Sequence, residues 1–328
     1  MNNDTVEHYN GHLKIDEHIL KSFDVVPNSF EDMMQMNKTN QIKVQLFNIQ
    51  SDTIHNDDIL EFEMTNVIKD EAFLIVNGGW IPCSFIKKNS ILLADRNIVS
   101  EIIRRYKNGI KKVNEEFDSF DNIFLNQNIM FDLSAFIIEG NERKIPTNNM
   151  IDEQLDIVKK DIKSALPNLE ITTYPNGNAY YHNLKNLLEP IIKKRILFLQ
   201  EIAPNLNKQF TEKTRETAIK IVFETAKRME LEKSDIVIIL ALLRILMKGP
   251  KSAAQLVLKD SQHYLEENAF NAACDLSTIE MLINFTDYHE KNTNFNIAFI
   301  TQDKGLSLFS SLFSNLKISN RFNGKIQV

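Results

Sequence analysis

The stretch that most constrains the fold of this chain covers residues 90–105 and reads SILLADRNIVSEIIRR. It opens with an apolar run over 91–94, short enough to be a strand buried on both faces of a parallel sheet. Asp95 follows directly, and from Asn97 onward the apolar residues recur at helical spacing. A strand that ends in a carboxylate and turns at once into a helix places that carboxylate at the carboxyl edge of the sheet, where open α/β sheets bind their ligands. The alternative is that Asp95 caps the helix or forms a turn, as Asp often does.

A second strand, carboxylate and helix occur near the C-terminus. Residues 295–300 predict a strand, Thr301-Gln302-Asp303 follows it, and a helix is predicted over 307–313. Asp303 therefore repeats the geometry of Asp95, with helix capping again as the alternative. Two such acids, with acids from two further helices available, favour a shared site over coincidence.

The two further acids lie in predicted helices. Glu139 ends an apolar segment just before Gly140, a residue suited to end a helix in the left-handed conformation. The helix dipole disfavours an anion at that end, which suggests a nearby cation: a metal ion, or simply Arg143 or Lys144. Asp275 lies in a later predicted helix beside small residues that allow close packing, and the alternative for it is a surface acid at a helix start.

The composition indicates a soluble protein with ample material for a core. A length of 328 residues with 43% hydrophobic and 25% charged residues suggests one large domain, or one domain with an appendage. The net charge of -6 provides no global attraction to nucleic acid, so any such binding needs a local basic patch. Cys83 and Cys274 lack metal-site or disulfide spacing, and the longest apolar run, 236–247, is too short to span a bilayer. Together with a polar N-terminus unlike a signal peptide, these features predict a reduced, cytoplasmic protein that is not bound to a membrane.

Two regions flank or interrupt the strand-and-acid pattern. Residues 1–88 are rich in predicted strands, with a hairpin turn at 77–79 and one short helix over 16–23, and we predict a β-rich accessory unit there. Residues 146–270 are predicted to be mostly helical and are punctuated by prolines. Within that stretch, Asp235 begins a nearly apolar helix.

The motifs around the four acids resemble those of the PIN (PIN-like) nuclease domain. They are Ala94-Asp95-Arg96-Asn97 after a buried strand, Glu139 and Asp275 in helices, and Thr301-Gln302-Asp303 after a late strand. The resemblance implies an α/β fold, a three-layer α/β/α sandwich with a central parallel sheet, over residues 89–328. The unit 1–88 would lie outside it, and residues of about 146–270 would be a helical insertion. That insertion is longer than a minimal domain of the family needs, which suggests a lid, a substrate channel or a surface for a protein partner.

The chemistry implied by the resemblance is metal-dependent hydrolysis of phosphodiester bonds by an endoribonuclease. Mg²⁺ or Mn²⁺ takes oxygen ligands and keeps several waters, and converging carboxylates need such a cation to remain ionised together. Bound ions activate water and stabilise the leaving oxygen. The expected catalytic and metal-binding residues are Asp95, Glu139, Asp275 and Asp303, with Asn97 and Thr301 orienting the carboxylates. Glu142 and Asp132 are alternatives to Glu139 in this match.

RNA is the expected substrate because it is the usual one of the resembled family; the residues themselves do not distinguish RNA from DNA. The candidate nucleic-acid-binding residues, which would pair with phosphates, are Arg104, Arg105, Lys107, Arg143 and Lys144. A solvated helix face is the alternative for the first three.

Two other functions compete with the nuclease. One is a catalytically inactive PIN-like scaffold or interaction protein whose acids are only helix caps; the acidic net charge favours it and the set of four acids opposes it. The other is a phosphatase with Asp95 as nucleophile, which ranks last because it usually has a second Asp where Asn97 stands. The sequence does not predict the oligomeric state.

Overall fold

The chain is a mixed α/β structure built on two large sheets. The computed structural model describes residues 6–9, 12–15, 17–54, 59–65, 72–112, 119–126, 128–247, 252–259 and 264–312. The strands are β1 (Val6–Tyr9), β2 (His12–Ile15), β3 (His18–Val25), β4 (Gln41–Ser51), β5 (Leu60–Thr65), β6 (Phe73–Val76), β7 (Gly79–Ile81), β8 (Ser90–Ala94), β9 (Tyr106–Lys107), β10 (Ile110–Lys111), β11 (Ile129–Asp132), β12 (Glu170–Ile171) and β13 (Asn296–Thr301). The helices are α1 (Phe30–Thr39), α2 (Arg96–Arg105), α3 (Ser119–Asn126), α4 (Ser134–Glu139), α5 (Asn148–Ala165), α6 (Ala179–Leu206), α7 (Glu212–Arg228), α8 (Ile236–Leu246), α9 (Ala253–Leu258), α10 (Glu266–Asn292) and α11 (Lys304–Ser310). None of the helices in these described ranges combines the length and the apolar character needed to cross a membrane.

The N-terminal sheet is antiparallel, with strands β1 to β5 in chain order. In β4, buried and exposed residues alternate, so that Ile42, Val44 and Leu46 face the core. The helix predicted over 16–23 is wrong for its described part, which lies mostly in β3, while Asp16 is outside the described residues. Its apolar periodicity is weak, and pairing with β2 on one side and β4 on the other decides its conformation.

The second sheet has the strand order β12-β11-β8-β13-β6-β7. Its first four strands run parallel, and β8 is buried at all five positions, as its unbroken apolar sequence predicts. The chain leaves β8 towards β11 and β12 on one side and later returns to β13 on the other side. The strand order therefore reverses between β8 and β13, and such a switch point is where open α/β sheets bind ligands.

The second sheet also contains strands from both sides of residue 88. The hairpin of β6 and β7 forms around the predicted turn at 77–79, and β6 pairs antiparallel with β13. The buried apolar side chains of the described residues form one cluster that includes both sheets. The division into two units at residue 88 stays a prediction. Residues on the two sides of position 88 contact each other in the folded protein, and such contact is compatible with each unit folding alone.

Residues 146–270 contain helices α5 to α9 and the short strand β12. A charged network is buried between α6, α8 and α10, where Arg195 is fully buried. Its Nε lies 3.0 Å from Asp235 Oδ1, its Nη2 lies 2.7 Å from Glu280 Oε1, and its Nη1 donates to Ser277 Oγ at 2.9 Å. Asp235 also begins α8, as predicted, by accepting a hydrogen bond from the Val237 N–H. This network fixes the helical region to the long helix α10.

Candidate functional site

The ends of β8 and β13 lie level with each other at the switch point of the sheet. Ala94 pairs with Ile300, and the Asp95 N–H donates to the Ile300 carbonyl at 3.2 Å. The Thr301 hydroxyl donates to Asp95 Oδ2 at 2.6 Å and accepts from the Asp303 N–H at 2.9 Å. One buried hydroxyl thus connects the two strand-terminal aspartates, in the orienting position that the sequence predicts for Thr301.

Helix capping is well defined for Asp303 and weaker for Asp95. Asp303 caps α11, since its Oδ1 accepts from the Leu306 N–H at 2.8 Å. Asp95 occupies the corresponding position of α2, where it lacks a capping hydrogen bond of good geometry, although the backbone N–H groups of Arg96 and Asn97 are near enough to lower its pKa. The Asp95 carboxylate thus faces both Thr301 and the first two residues of α2.

The two helical acids reach the same place from α4 and α10. Glu139 is the last residue of α4, and Gly140 ends the helix as predicted, but with a φ of 63° and a ψ of 174° rather than in the left-handed helical conformation. Asp275 lies in the interior of α10, which packs against both α4 and β13. The alternative of a surface acid at a helix start is wrong, because Asp275 is half-buried and well inside the helix.

The two alternatives to Glu139 lie in other surroundings. Glu142 is exposed and pairs with Lys144. Asp132, the last residue of β11, is fully buried, where its Oδ1 accepts from the Ser134 N–H at 2.8 Å and its Oδ2 from the Tyr174 hydroxyl. Burial raises the pKa of Asp132. Because this carboxyl group lies in the core with its own hydrogen-bond partners, it is a weaker candidate for a metal ligand than Glu139.

The charges of the four acids influence the pKa values within this group. Burial raises the pKa of Asp95, and the Asp303 carboxylate raises it further against the Thr301 hydrogen bond. The pKa of Glu139 is raised to about 7, first by burial and next by the charge of Asp95. Burial and then the charges of Asp303, Asp95 and Glu139 hold the pKa of Asp275 well above its usual range. The site therefore concentrates more negative charge than its surroundings offset.

Arg96 and Lys259 supply the positive charge that acts on these acids, and neither of them was predicted to belong to the site. The guanidinium of Arg96 donates to the Gly140 carbonyl at 2.8 Å. The Lys259 ammonium lies 3.7 Å from Asp303 Oδ2. A signal exists for Arg96, because it directly follows Asp95 in the motif, whereas Lys259 follows an apolar helix with no recognisable pattern.

The predicted nucleic-acid-binding residues divide into exposed and buried ones. Arg104 and Lys107 are exposed, as are Arg143 and Lys144 after α4. Arg105 was predicted to lie on an exposed basic face of α2, and this prediction is wrong. Arg105 is buried and pairs with Asp121 and Glu101. Its inward position follows from Asp121, a fully buried carboxylate that needs positive charge beside it.

The donor atoms of the site suit a hard divalent cation. Carboxylate oxygens are the ligands that Mg²⁺ and Mn²⁺ prefer, and a bound cation would relieve the repulsion that raises these pKa values. Within the described ranges, however, no three Asp, Glu, His or Cys side chains lie close enough together to hold one ion. The donor chemistry of these residues fits a divalent ion, whereas their described spacing does not form a closed set of three ligands.

The raised pKa of Glu139 predicts how pH changes the stability of the metal-free protein. The folded state holds this proton more tightly than the unfolded state, so the stabilisation from protonation is lost as pH rises from 4.5 to about 7. Glu139→Gln should flatten this dependence and increase the free energy of unfolding above pH 7 by up to about 3 kcal/mol. Urea unfolding at several pH values with EDTA measures it, with Glu142→Gln, an exposed acid nearby, as control. An unchanged pH slope in Glu139→Gln would contradict the prediction.

Four acids from two strand ends and two helices therefore meet where the strand order reverses, with two cations beside them. Carboxylate oxygens are the ligand type that Mg²⁺ takes in proteins, usually together with phosphate oxygens of a substrate. The resemblance to the PIN domain rests on these residues and their placement alone. No protein-family model, curated protein or solved structure matches this chain.

Proposed function

We propose that this protein is a metal-dependent nuclease that hydrolyses phosphodiester bonds, with RNA as substrate and Mg²⁺ or Mn²⁺ as cofactor. The proposal rests on the placement of four acids at the switch point of a parallel sheet: Asp95, Glu139, Asp275 and Asp303. The pKa values of Asp95, Glu139 and Asp275 are raised, and in each case the negative charge of another of these acids contributes. Structural acids are seldom gathered in this way, because their repulsion destabilises the folded state.

The finer fold assignment belongs to the same proposal. We assign residues 89–328 to a PIN-like three-layer sandwich with a helical insertion at about 146–270, and residues 1–88 to an accessory unit. The parallel strands β12, β11, β8 and β13 support this assignment, as do helices α4 and α10, which contact β8 and β13 respectively.

The proposed residues have distinct roles. Asp95 and Asp303 would be the primary metal ligands and Asp275 a further ligand, and the bound ion would supply an activated water and neutralise charge on the phosphate. Thr301 orients the Asp95 carboxylate by donating to it, and it fixes the backbone of Asp303 by accepting from the Asp303 N–H. A carboxyl group whose pKa lies near neutral pH is suited to accept a proton, and we assign that role to Glu139. Asn97 is exposed on α2, and its orienting role stays a prediction.

Phosphate binding would come from basic residues near the site. Arg143 and Lys144 follow Glu139 closely in the chain and remain exposed, although each is paired with an acid, Glu267 and Glu142 respectively. Such exposed ion pairs are weak and exchange readily for phosphate contacts. Because the net charge is -6, nucleic-acid binding should depend on this local patch and weaken steeply with salt.

Incubation of the purified protein with labelled RNA and with labelled single-stranded DNA, each with MnCl₂ or with EDTA, tests the proposal. We expect cleavage of RNA that requires Mn²⁺, and an increase in the thermal midpoint when Mn²⁺ is added. Cleavage of DNA alone would change the substrate assignment and keep the nuclease. A protein that Mn²⁺ does not stabilise and that cleaves neither nucleic acid would instead be the inactive scaffold.

A further inference from the structure

Of the two cations beside the acids, Lys259 has the side chain that is freer to change its partner. It directly follows α9, its side chain is 64% exposed, and its ammonium lies 3.7 Å from Asp303 Oδ2. Its charge also lowers the pKa values of Glu139 and Asp275, so it acts on three of the four acids. Arg96 differs from it, because Arg96 is partly buried and is held by the Gly140 carbonyl.

The backbone that carries Lys259 is fixed by close packing of α9 on α11. A Cβ atom at Gly305 would lie 2.8 Å from Leu256 Cβ and 2.9 Å from the Leu256 carbonyl carbon, so only glycine allows this approach. Lys259 ends α9 in the left-handed conformation, with a φ of 50°, and its N–H donates to the Gln255 carbonyl at 2.9 Å. The position of the residue is thus set by the fold, while its long side chain reaches across to Asp303.

A lysine in this position competes with a divalent ion. Its ammonium group is a compact charge on a flexible stem, and a largely exposed pair with a carboxylate is weak. A divalent ion brings twice the charge to the same carboxylates and would displace the ammonium. Once displaced, the ammonium remains beside the site, where a lysine binds phosphate as a point charge.

We propose that Lys259 is an exchangeable counter-cation: it pairs with Asp303 while no divalent ion is bound, and it binds a phosphate group of the nucleic acid once the ion has replaced it. This role rests on the proposed nuclease function. It identifies Lys259 as a residue that positions the substrate, and it gives the ammonium a carboxylate partner in the metal-free state and a phosphate partner in the substrate-bound state.

The test measures Mn²⁺ affinity by calorimetry and the KM for a single-stranded RNA over a series of KCl concentrations. In Lys259→Met, Mn²⁺ should bind about two- to fivefold more tightly, the range expected when a competing exposed ion pair is removed. KM should rise, and the slope of log KM against log salt should decrease by about 0.7, the value for one phosphate contact on a single strand. Lys259→Arg should keep the wild-type slope.

Lys220→Met is the matched control. Lys220 is also exposed, and its ammonium lies 3.9 Å from a carboxylate of its own helix, Glu224. We expect this variant to change neither Mn²⁺ affinity nor the salt slope.

The outcomes separate the two proposals. If the wild type binds Mn²⁺ and cleaves RNA while Lys259→Met changes neither quantity, or only one of them, the exchange is overturned and the nuclease stands. Weaker Mn²⁺ binding in Lys259→Met would show that the lysine merely supports the site, and would also overturn the exchange. A wild type that neither binds Mn²⁺ nor cleaves RNA overturns both.

Discussion

Asp95→Asn should lower Mn²⁺-dependent RNA cleavage on the order of a hundredfold or more, the loss typical of removing one preorganised electrostatic group. Asparagine keeps the shape of the side chain and an oxygen that can accept from the Thr301 hydroxyl, which donates to Asp95 Oδ2 at 2.6 Å. The substitution removes one negative charge from the proposed metal site. Weaker ion binding is therefore the main expected consequence, and cleavage assays at several MnCl₂ concentrations measure it.

The same substitution should leave the metal-free fold intact or slightly more stable. Asn and Asp are about equally good at a helix N-terminus, and the loss of a charge relieves repulsion with Asp303. Thermal midpoints with EDTA and with MnCl₂ provide the readout, and Asp287→Asn, an exposed acid paired with Lys291, is the control. Unchanged cleavage, or a large loss of metal-free stability, would favour the scaffold function in which Asp95 only supports the fold.

Arg195→Ala should lower the free energy of unfolding by about 3–5 kcal/mol, the range for removal of one partner of a buried ion pair. The guanidinium is fully buried, and it lies 3.0 Å from Asp235 Oδ1 and 2.7 Å from Glu280 Oε1. Its removal takes the positive charge away from two acids that remain inside the protein. Urea unfolding with EDTA measures the change without any contribution from metal binding.

Lys194→Ala is the control for Arg195→Ala, since the neighbouring Lys194 pairs with Glu230 at the surface and should contribute only about 0.2–1 kcal/mol. Arg195→Lys should fall between the two, because it keeps the charge and loses the planar group that contacts both acids. A loss below about 1 kcal/mol in Arg195→Ala would mean that the helices rearrange to expose Asp235 or Glu280 to water.

Local signals predicted the elements that carry the site. The apolar run of β8 followed by Asp95, the glycine after Glu139 and the start of α8 at Asp235 are each decided within a few residues by burial, backbone conformation or capping. The structure places these features where the sequence predicts them. The hairpin of β6 and β7 follows for the same reason, because its turn needs the glycines at 78 and 79.

Features that depend on distant partners were not predictable in the same way. The strand β3 forms because β2 and β4 flank it, and Arg105 is buried because Asp121 lies beside it. Lys259 reaches the site through the contact of α9 with α11, which no spacing in the sequence indicates.

The burial of Arg195, in contrast, could have been predicted from the sequence. Arg195 falls on the same helical stripe as Leu188, Ile192 and Leu199, all of which are buried.

The order in which the chain emerges from a ribosome limits when the acidic site can form. Thr301 and Asp95 are 206 residues apart, yet their hydrogen bond joins the two central strands of the site. β8 can pair with β11 soon after β11 is made, whereas β13 becomes available only after helices α4 to α10 have been made, and contacts between distant residues form slowly in any case. The carboxylates of Asp95 and Asp303 are therefore brought together late. Until β13 is made, a nascent chain carries Asp95 and Glu139 without the assembled site.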